Sequence, residues 1–292
     1  GGNDRRRLCK LHDMAQRTHG GFDYESDETF QIVNDLFGIL YVPMQEVPEL
    51  ELSSYSYSSI PRCYTYMDTG ALSTSGVTRL HNHPYLKLQG KGTLVAVIDS
   101  GIDYLHPAFH NGVQSKIFSI WDQTLEGGAD GRIPFGREFG RQQIEQALAS
   151  ENPWEIVPSS DTNGHGTRSA ATAAGYRIEK DNFCGAAPEA EIVIVKLKQA
   201  KNYLRDFYLL PRDIDIFQED DIMLAISYVL FIAQEQQMPL SICIGLGTSM
   251  GAHQGEGPLN EYINSIAAFT QNAVSVPAGN EGTARHHYLR EF

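Results

Sequence analysis

The sequence lacks long hydrophobic runs, and it lacks an excess of positive charge. No stretch approaches the roughly 18 uncharged apolar residues of a membrane-spanning helix, so we expect no membrane span. The 36 Asp and Glu residues outnumber the 23 Lys and Arg residues, which gives a formal net charge of −13. This balance argues against a nucleic acid as partner, because phosphate binding requires a basic surface.

Cysteines are also few, and their spacing fits neither a disulfide framework nor a metal site. They are Cys9, Cys63, Cys184 and Cys243. Cys184 and Cys243 are predicted to be buried small hydrophobic side chains, which favours a reducing compartment. The N-terminal residues 1–7 are basic but lack the apolar core of a secretory signal.

A histidine flanked by glycines opens an alanine-rich run at residues 161–175. The small residues predict a helix that packs closely against its neighbours, with Asp161 or Asn163 capping its start. Because histidine titrates near neutral pH, His165 on such a helix is a candidate general base. The alternative is a histidine at a helix start that has no chemical role.

Two apolar runs end in polar residues that carry chemistry. Residues 93–98 predict a buried parallel strand that ends at Asp99, and residues 273–277 predict another that leads to Asn280. Open α/β sheets build their sites at the carboxyl ends of strands, so both residues are candidates for a site. An asparagine amide held between glycines can donate to a developing oxyanion.

Three motifs in the order Asp, His, Asn resemble those of the subtilisin-like serine proteases, the subtilases of peptidase family S8. They are Asp99–Gly101, Gly164–Thr167 and Ala278–Gly282. The resemblance implies that Asp99 orients His165, that His165 is the general base and that Asn280 belongs to the oxyanion hole. It implies no cofactor. Calcium binding is common in the family, but no compact acidic loop indicates a calcium site.

A more specific resemblance is to the clostridial Csp-type subtilases, which act in spore germination. Residues 119–124 and 151–159 carry it, and it covers most of residues 30–290. It implies a protein or peptide substrate, for example a spore-cortex hydrolase activated by limited cleavage. It also favours the bacterial cytoplasm or the spore as the location.

We therefore expect an α/β, subtilisin-like three-layer fold with a mostly parallel sheet, preceded by a small α+β propeptide domain. Residues 1–22 are expected to be a tail or a cloning remnant, residues 23–70 the propeptide-like domain, and residues 71–292 the catalytic domain. A subtilase propeptide templates folding and lays its final residues in the substrate cleft, whereas the alternative is an ordinary accessory domain. Self-cleavage is expected in the small, polar junction Asp68–Gly76.

The catalytic serine is not expected within this sequence. Ser249 lies in a Gly-Thr-Ser-Met string like that of the family's nucleophile, but it precedes Asn280, whereas the nucleophile follows the oxyanion asparagine. Ser100 and Ser169 are expected to be structural. The catalytic domain is therefore expected to be incomplete, with the nucleophile segment beyond residue 292.

The segment Gly245, Leu246, Gly247 instead resembles the strand with which subtilases pair an extended substrate. His81 and His83, two residues apart, are expected to be solvated rather than metal ligands. Helical spacing is predicted over residues 141–149 and 219–236.

Two classes of function remain open. The first is a serine endopeptidase with a self-processed propeptide that occupies its own cleft. The second is a pseudoprotease that serves as a binding or signalling platform. The presence of both Asp99 and His165 favours the enzyme, because a protein without catalysis has no physical need for the pair.

Overall fold

The computed structural model describes residues 4–10, 30–34, 36–43, 60–66, 77–81, 83–85, 87–127, 132–181, 183–251, 254–269 and 271–279. The strands are β1 (Asp4–Lys10), β2 (Phe30–Ile32), β3 (Phe37–Pro43), β4 (Cys63–Tyr66), β5 (Leu94–Asp99), β6 (Ile117–Asp122), β7 (Arg137–Gly140), β8 (Glu191–Lys196), β9 (Phe217–Gln218), β10 (Leu240–Ile244), β11 (Leu246–Gly247) and β12 (Asn272–Ser275). The helices are α1 (Val77–His81), α2 (Arg141–Leu148), α3 (Pro153–Ile156), α4 (His165–Ala174), α5 (Asn202–Phe207), α6 (Glu219–Gln236) and α7 (Pro258–Ala267), with a 3-10 turn at Glu179–Asp181.

The centre of the fold is a six-stranded sheet in the order β12-β10-β5-β8-β6-β7. Every neighbouring pair is parallel except β6 and β7. β5 is buried along its whole length, with alternate residues facing two separate apolar clusters that involve α6 on one side and α4 on the other. Helices thus cover both faces of the sheet, which confirms the predicted α/β fold with a mostly parallel sheet.

The predicted elements of this central unit are observed with shifts of one or two residues at their ends. The helix predicted over residues 141–149 is α2, which ends at Leu148, and residues 219–236 form α6. The strand predicted over residues 93–98 is β5, and the strand predicted over residues 273–277 is β12, which ends at Ser275.

Helix α6 enters the core with three fully buried acidic residues in its first turn: Glu219, Asp220 and Asp221. The positive end of the helix dipole stabilises negative charge at this place. Lys198 Nζ also contacts Asp221 Oδ1 at 2.6 Å, and Gln218 Nε2 donates to Asp220 Oδ1 at 3.0 Å. Within the part of the chain that the structure describes, neither α6 nor any other helix is long and apolar enough to cross a membrane.

An antiparallel sheet in the order β1-β3-β2 packs against α6. Phe37 and Ile39 of β3 join the apolar cluster of this helix, and Ser227 Oγ donates to the carbonyl oxygen of Val33 at 3.3 Å. β1 falls within residues 1–22, where we expected a tail, and it pairs with β3 along its full length. The division of the chain into domains stays a prediction.

A second small antiparallel sheet, in the order β11-β4-β9, joins the N-terminal part of the chain to the central unit. β4 lies in the middle, with Tyr66 opposite Leu246 and Thr65 opposite Gly247 on one side. On its other side, Cys63 and Tyr64 face β9. The N-terminal segment is thus held at this place by backbone pairing on both edges.

The expectation that His81 is solvated is wrong. His81 ends α1, is only 8% exposed, and its Nε2 lies 2.7 Å from the carbonyl oxygen of Ala186. His83 is partly exposed, and its Nδ1 accepts a hydrogen bond from Tyr85 N at 3.3 Å. The position beside the carbonyl oxygen of Ala186, 105 residues further along the chain, could not be read from two-residue spacing.

The small residues of α4 allow a close approach that can be tested at Gly166. A Cβ atom at this position would collide with the carbonyl oxygen of Gly101 in the loop after β5. We expect Gly166→Ser to lower the free energy of unfolding by about 2 kcal/mol or more, measured by urea denaturation.

The matched control for this substitution is Gly140→Ser. Gly140 precedes α2 with φ of −79°, and a Cβ atom there would meet nothing within 4 Å. Serine is a favourable residue at a helix start, so this variant should be as stable as the parent. Equal stabilities of the two variants would contradict the close approach.

Candidate active site

Asp99 and His165 form a hydrogen-bonded pair at the carboxyl edge of the central sheet. Asp99 is the last residue of β5, and its side chain is 1% exposed. Its two carboxylate oxygens lie 2.8 and 2.9 Å from His165 Nδ1, and Oδ1 also accepts a hydrogen bond from Ser100 N at 2.7 Å. When Nδ1 carries the proton toward Asp99, the lone pair of the neutral imidazole is at Nε2, as a general base requires.

The loop before α4 fixes the position of His165, the first residue of this helix. Gly164 adopts φ of +78°, which favours glycine, and its conformation turns the chain into the helix. Asn163 Oδ1 accepts a hydrogen bond from His165 N at 2.8 Å. The side chain of His165 is 11% exposed, so the imidazole is held among protein atoms while one part of it reaches solvent.

Asp161 organises the same loop through four hydrogen bonds. Oδ1 accepts from Gly164 N and from Ser100 Oγ, and Oδ2 accepts from Thr167 N and from Thr167 Oγ1, at 2.6 to 3.0 Å. Partial burial opposes ionisation, but these hydrogen bonds outweigh it and lower the pKa of the carboxyl. Both residues predicted to cap the helix, Asp161 and Asn163, therefore accept hydrogen bonds from its first turn.

Gly245, between β10 and β11, packs closely against Asp99 and His165. A Cβ atom at this position would lie 2.5 Å from Asp99 Oδ2 and 3.0 Å from His165 Cε1. Only glycine fits here without displacing the imidazole. The next two residues, Leu246 and Gly247, are the ones that pair with β4, so the predicted substrate-binding segment begins in contact with the Asp–His pair.

Asn280, the predicted oxyanion donor, lies outside the described residues. The described chain runs through β12 to Gly279, which has φ of +95°. β12 pairs in parallel with β10, so its carboxyl end lies on the same edge of the sheet as Gly245. The role of Asn280 stays a prediction.

Ser100, Ser169 and Ser249 lie in different surroundings. Ser100 Oγ donates to Asp161 and accepts from a backbone N–H of α4 at 2.9 Å, so it is part of the loop that supports the helix. Ser169 is buried one helical turn after His165. Ser249 is exposed in a bend after β11. These placements are consistent with structural roles for Ser100 and Ser169.

Cys63 and Cys243 are not placed for nucleophilic chemistry. Cys184 and Cys243 are free thiols of intermediate exposure, and Cys63 is a buried free thiol. Burial raises the pKa of Cys243 to about 11 and that of Cys63 to about 12. Both thiols are therefore protonated at neutral pH and are weak nucleophiles.

Two features of the site were not predicted from the sequence. The first is that Asp161 accepts four hydrogen bonds. The sequence signal for this role was a carboxylate four residues before His165. The second is the contact of Gly245 with both members of the pair. A Gly-x-Gly segment after an apolar strand indicated a close backbone approach, but it did not reveal which groups approach.

Comparisons with known proteins agree with this geometry. Residues 90–208, which include Asp99 and His165, match the Peptidase_S8 family, described as the subtilase family. The CspB protease of Clostridium perfringens is a solved structure that is 30% identical, with a TM-score of 0.59, over 71% of this chain and 40% of that one.

Curated relatives give the same result. An intracellular serine protease of Paenibacillus polymyxa is 29% identical over 66% of this chain and 43% of its own length. Subtilisin-like protease SBT1.4 of Arabidopsis thaliana is 30% identical over 37% of this chain and 16% of its own length. The chain thus spans less than half the length of these relatives.

The lowered pKa of Asp161 predicts a pH-dependent contribution to stability. A carboxyl whose pKa is lower in the folded state stabilises the fold above its unfolded pKa of about 3.9, and this stabilisation is lost as the pH falls through the folded value. We expect Asp161→Asn to lower the free energy of unfolding by about 1–3 kcal/mol at pH 7, with a difference that shrinks below about pH 4.

The measurement is urea denaturation of both proteins at several pH values between 3 and 7. Asp181→Asn, which removes an exposed carboxylate from the 3-10 turn, serves as the control and should have little effect. A loss of stability in Asp161→Asn that is the same at every pH would mean that ionisation of Asp161 does not matter.

Proposed function

We propose that this chain carries the Asp–His part of a serine endopeptidase of the subtilase family, whose family model matches residues 90–208. The observation that carries the proposal is the contact of His165 Nδ1 with both oxygens of the buried Asp99 carboxylate, at 2.8 and 2.9 Å. A buried carboxylate in this position fixes the tautomer of the imidazole and stabilises the imidazolium that forms during the reaction.

The proposed reaction is acyl transfer at a peptide bond. His165 takes the proton from the hydroxyl of a catalytic serine, and the serine oxygen attacks the carbonyl carbon. Asn280 donates to the oxyanion of the tetrahedral intermediate, and a donor of this kind contributes about 100- to 1,000-fold to kcat. His165 then returns the proton to the leaving amine. The residues in these steps need no cofactor.

We further propose that residues 23–70 are a prosegment whose end occupies the substrate position. β4 lies between β9 and β11, paired antiparallel to both, as an extended substrate would be. Because the register places Tyr66 opposite Leu246, the end of β4 is one step from Gly245, which contacts the Asp–His pair. The chain therefore reaches the pair just before Asp68–Gly76, where we predict the cut.

The Csp-type resemblance implies a protein substrate for the mature enzyme. We propose limited cleavage that activates another hydrolase, as for a spore-cortex hydrolase during germination, in a bacterial cytoplasm or spore. The likeness to the CspB protease supports this assignment. The alternative, a pseudoprotease that acts as a binding platform, has less support because both Asp99 and His165 are present and in contact.

The self-processing proposal predicts that the full-length protein separates into two fragments divided between residues 60 and 80. We expect His165→Ala to stay uncut, because the serine then has no general base. Denaturing gel electrophoresis with mass spectrometry of the fragments measures both outcomes.

The control variant is His106→Ala, which removes an exposed imidazole and should be processed like the parent. A cut that persists in His165→Ala would show that another protease makes it. A parent protein that stays intact and also fails to cleave peptides would favour the binding platform.

A further inference from the structure

Two buried charged residues meet where the N-terminal segment joins α6. Arg62, which directly precedes β4, is 6% exposed, and Glu219, the first residue of α6, is fully buried. Arg62 N donates to Glu219 Oε2 at 3.2 Å, and Glu219 N donates to the carbonyl oxygen of Arg62 at 2.7 Å. Leu259 N lies 3.4 Å from the other carboxylate oxygen. Backbone groups thus fix the orientation of the carboxylate.

The side chains of these two residues also interact electrostatically. Burial raises the pKa of the Glu219 carboxyl, and the guanidinium of Arg62 is the largest influence that opposes the rise. The hydroxyl of Tyr64 interacts with both groups: burial and then Glu219 raise its pKa, and Arg62 lowers it. A carboxylate buried to this degree requires a cation nearby, since an unpaired buried charge is costly.

Two glycines form the walls around the guanidinium of Arg62. A Cβ atom at Gly251 would lie 2.6 Å from Arg62 Cζ, and one at Gly257 would lie 2.6 Å from Nη2. Both glycines have positive φ, +92° and +129°, so side chains are disfavoured there for two reasons. The result is a narrow slot that fits a planar group.

An aromatic residue follows two positions after the arginine. Tyr64 is 8% exposed and belongs to the same apolar cluster as Leu246 and Leu259. A cavity of about 220 Å³ borders Arg62 and Tyr64 and extends to Pro277, which follows β12. The slot and the aromatic site therefore lie along one continuous groove at the carboxyl edge of the sheet.

We propose that Glu219, Gly251 and Gly257 form an arginine subsite of the substrate groove, which the chain's own Arg62 fills in this structure. The inference rests on the proposed function, in which β4 occupies the place of a substrate. It identifies the preferred substrate as a peptide with arginine two residues before an aromatic side chain, upstream of the bond that is cut.

Arginine fits this subsite better than lysine. Its guanidinium is flat and spreads its charge over a fork of N–H donors, so it can fill the slot and at the same time compensate the charge of the carboxylate. A lysine ammonium is compact and strongly hydrated, and it would leave part of the slot empty. Departure of the prosegment leaves the buried carboxylate without this cation, which favours refilling by a substrate arginine.

The test compares two peptides with the sequence of residues 60–75, one with arginine and one with citrulline at position 62. Citrulline keeps the shape of arginine and removes its charge. The full-length enzyme should cleave the arginine peptide with a kcat/KM about 10- to 100-fold higher, as expected when a positive charge near a buried carboxylate is lost. In Glu219→Gln the ratio of the two kcat/KM values should fall below about 3-fold, because the negative charge that favours arginine is removed.

The matched control is Glu189→Gln, which removes an exposed carboxylate near the amino end of β8, at the opposite edge of the sheet. Its arginine-to-citrulline ratio should equal that of the parent. A ratio near one in the parent, or an unchanged ratio in Glu219→Gln, would overturn the subsite while leaving the endopeptidase in place. The contact between Arg62 and Glu219 would then be only a structural one.

If neither peptide is cleaved, the result counts against the proposed function alone. The arginine subsite can then still be tested by a binding measurement. In full-length Arg62→Glu the chain's own segment no longer fills the slot, and Arg62→Gln provides a milder second variant. Fluorescence anisotropy with labelled peptides should show at least 10-fold tighter binding of the arginine peptide in either variant. Equal affinities would overturn the subsite.

Discussion

The site depends on the contact between a carboxylate at the end of a buried strand and an imidazole at the start of a helix. Asp99 cannot move, because β5 is paired on both sides and covered on both faces. His165 is held from the other direction by the loop around Asp161 and Asn163. The imidazole reaches the carboxylate only because Gly166 and Gly245 let two backbone segments approach the pair closely.

Buried negative charge is a recurring feature of this molecule, and the chain compensates it differently at each place. Asp99 faces an imidazole, Asp161 accepts four hydrogen bonds, and Asp221 contacts Lys198. Glu219 accepts from two backbone N–H groups and interacts electrostatically with the guanidinium of Arg62. Glu219 is the exception, because its cation is Arg62, which belongs to the N-terminal segment directly before β4. Of these four carboxylates, Glu219 is the one that would lose a cation if that segment were removed.

β4 makes two kinds of contact that concern function. Backbone pairing with β9 and β11 holds the segment without regard to its side chains, whereas the slot for Arg62 and the apolar site for Tyr64 depend on side-chain chemistry. The first kind of contact would allow the proposed prosegment and varied substrates to share one groove. The second kind supplies the selectivity that we propose.

The sequence alone determined the α/β class, the strand that ends at Asp99, the helix that begins at His165 and the resemblance to the subtilases. These features follow from local patterns: continuous apolar runs, glycines beside a histidine, and small residues at helical spacing. Only the tertiary structure decided that β1 continues the N-terminal sheet, that His81 is buried, and that Arg62 meets Glu219 across 157 positions of sequence. Such contacts depend on which surfaces the packed sheet and helices bring together, and no local pattern records the partner of a buried charge.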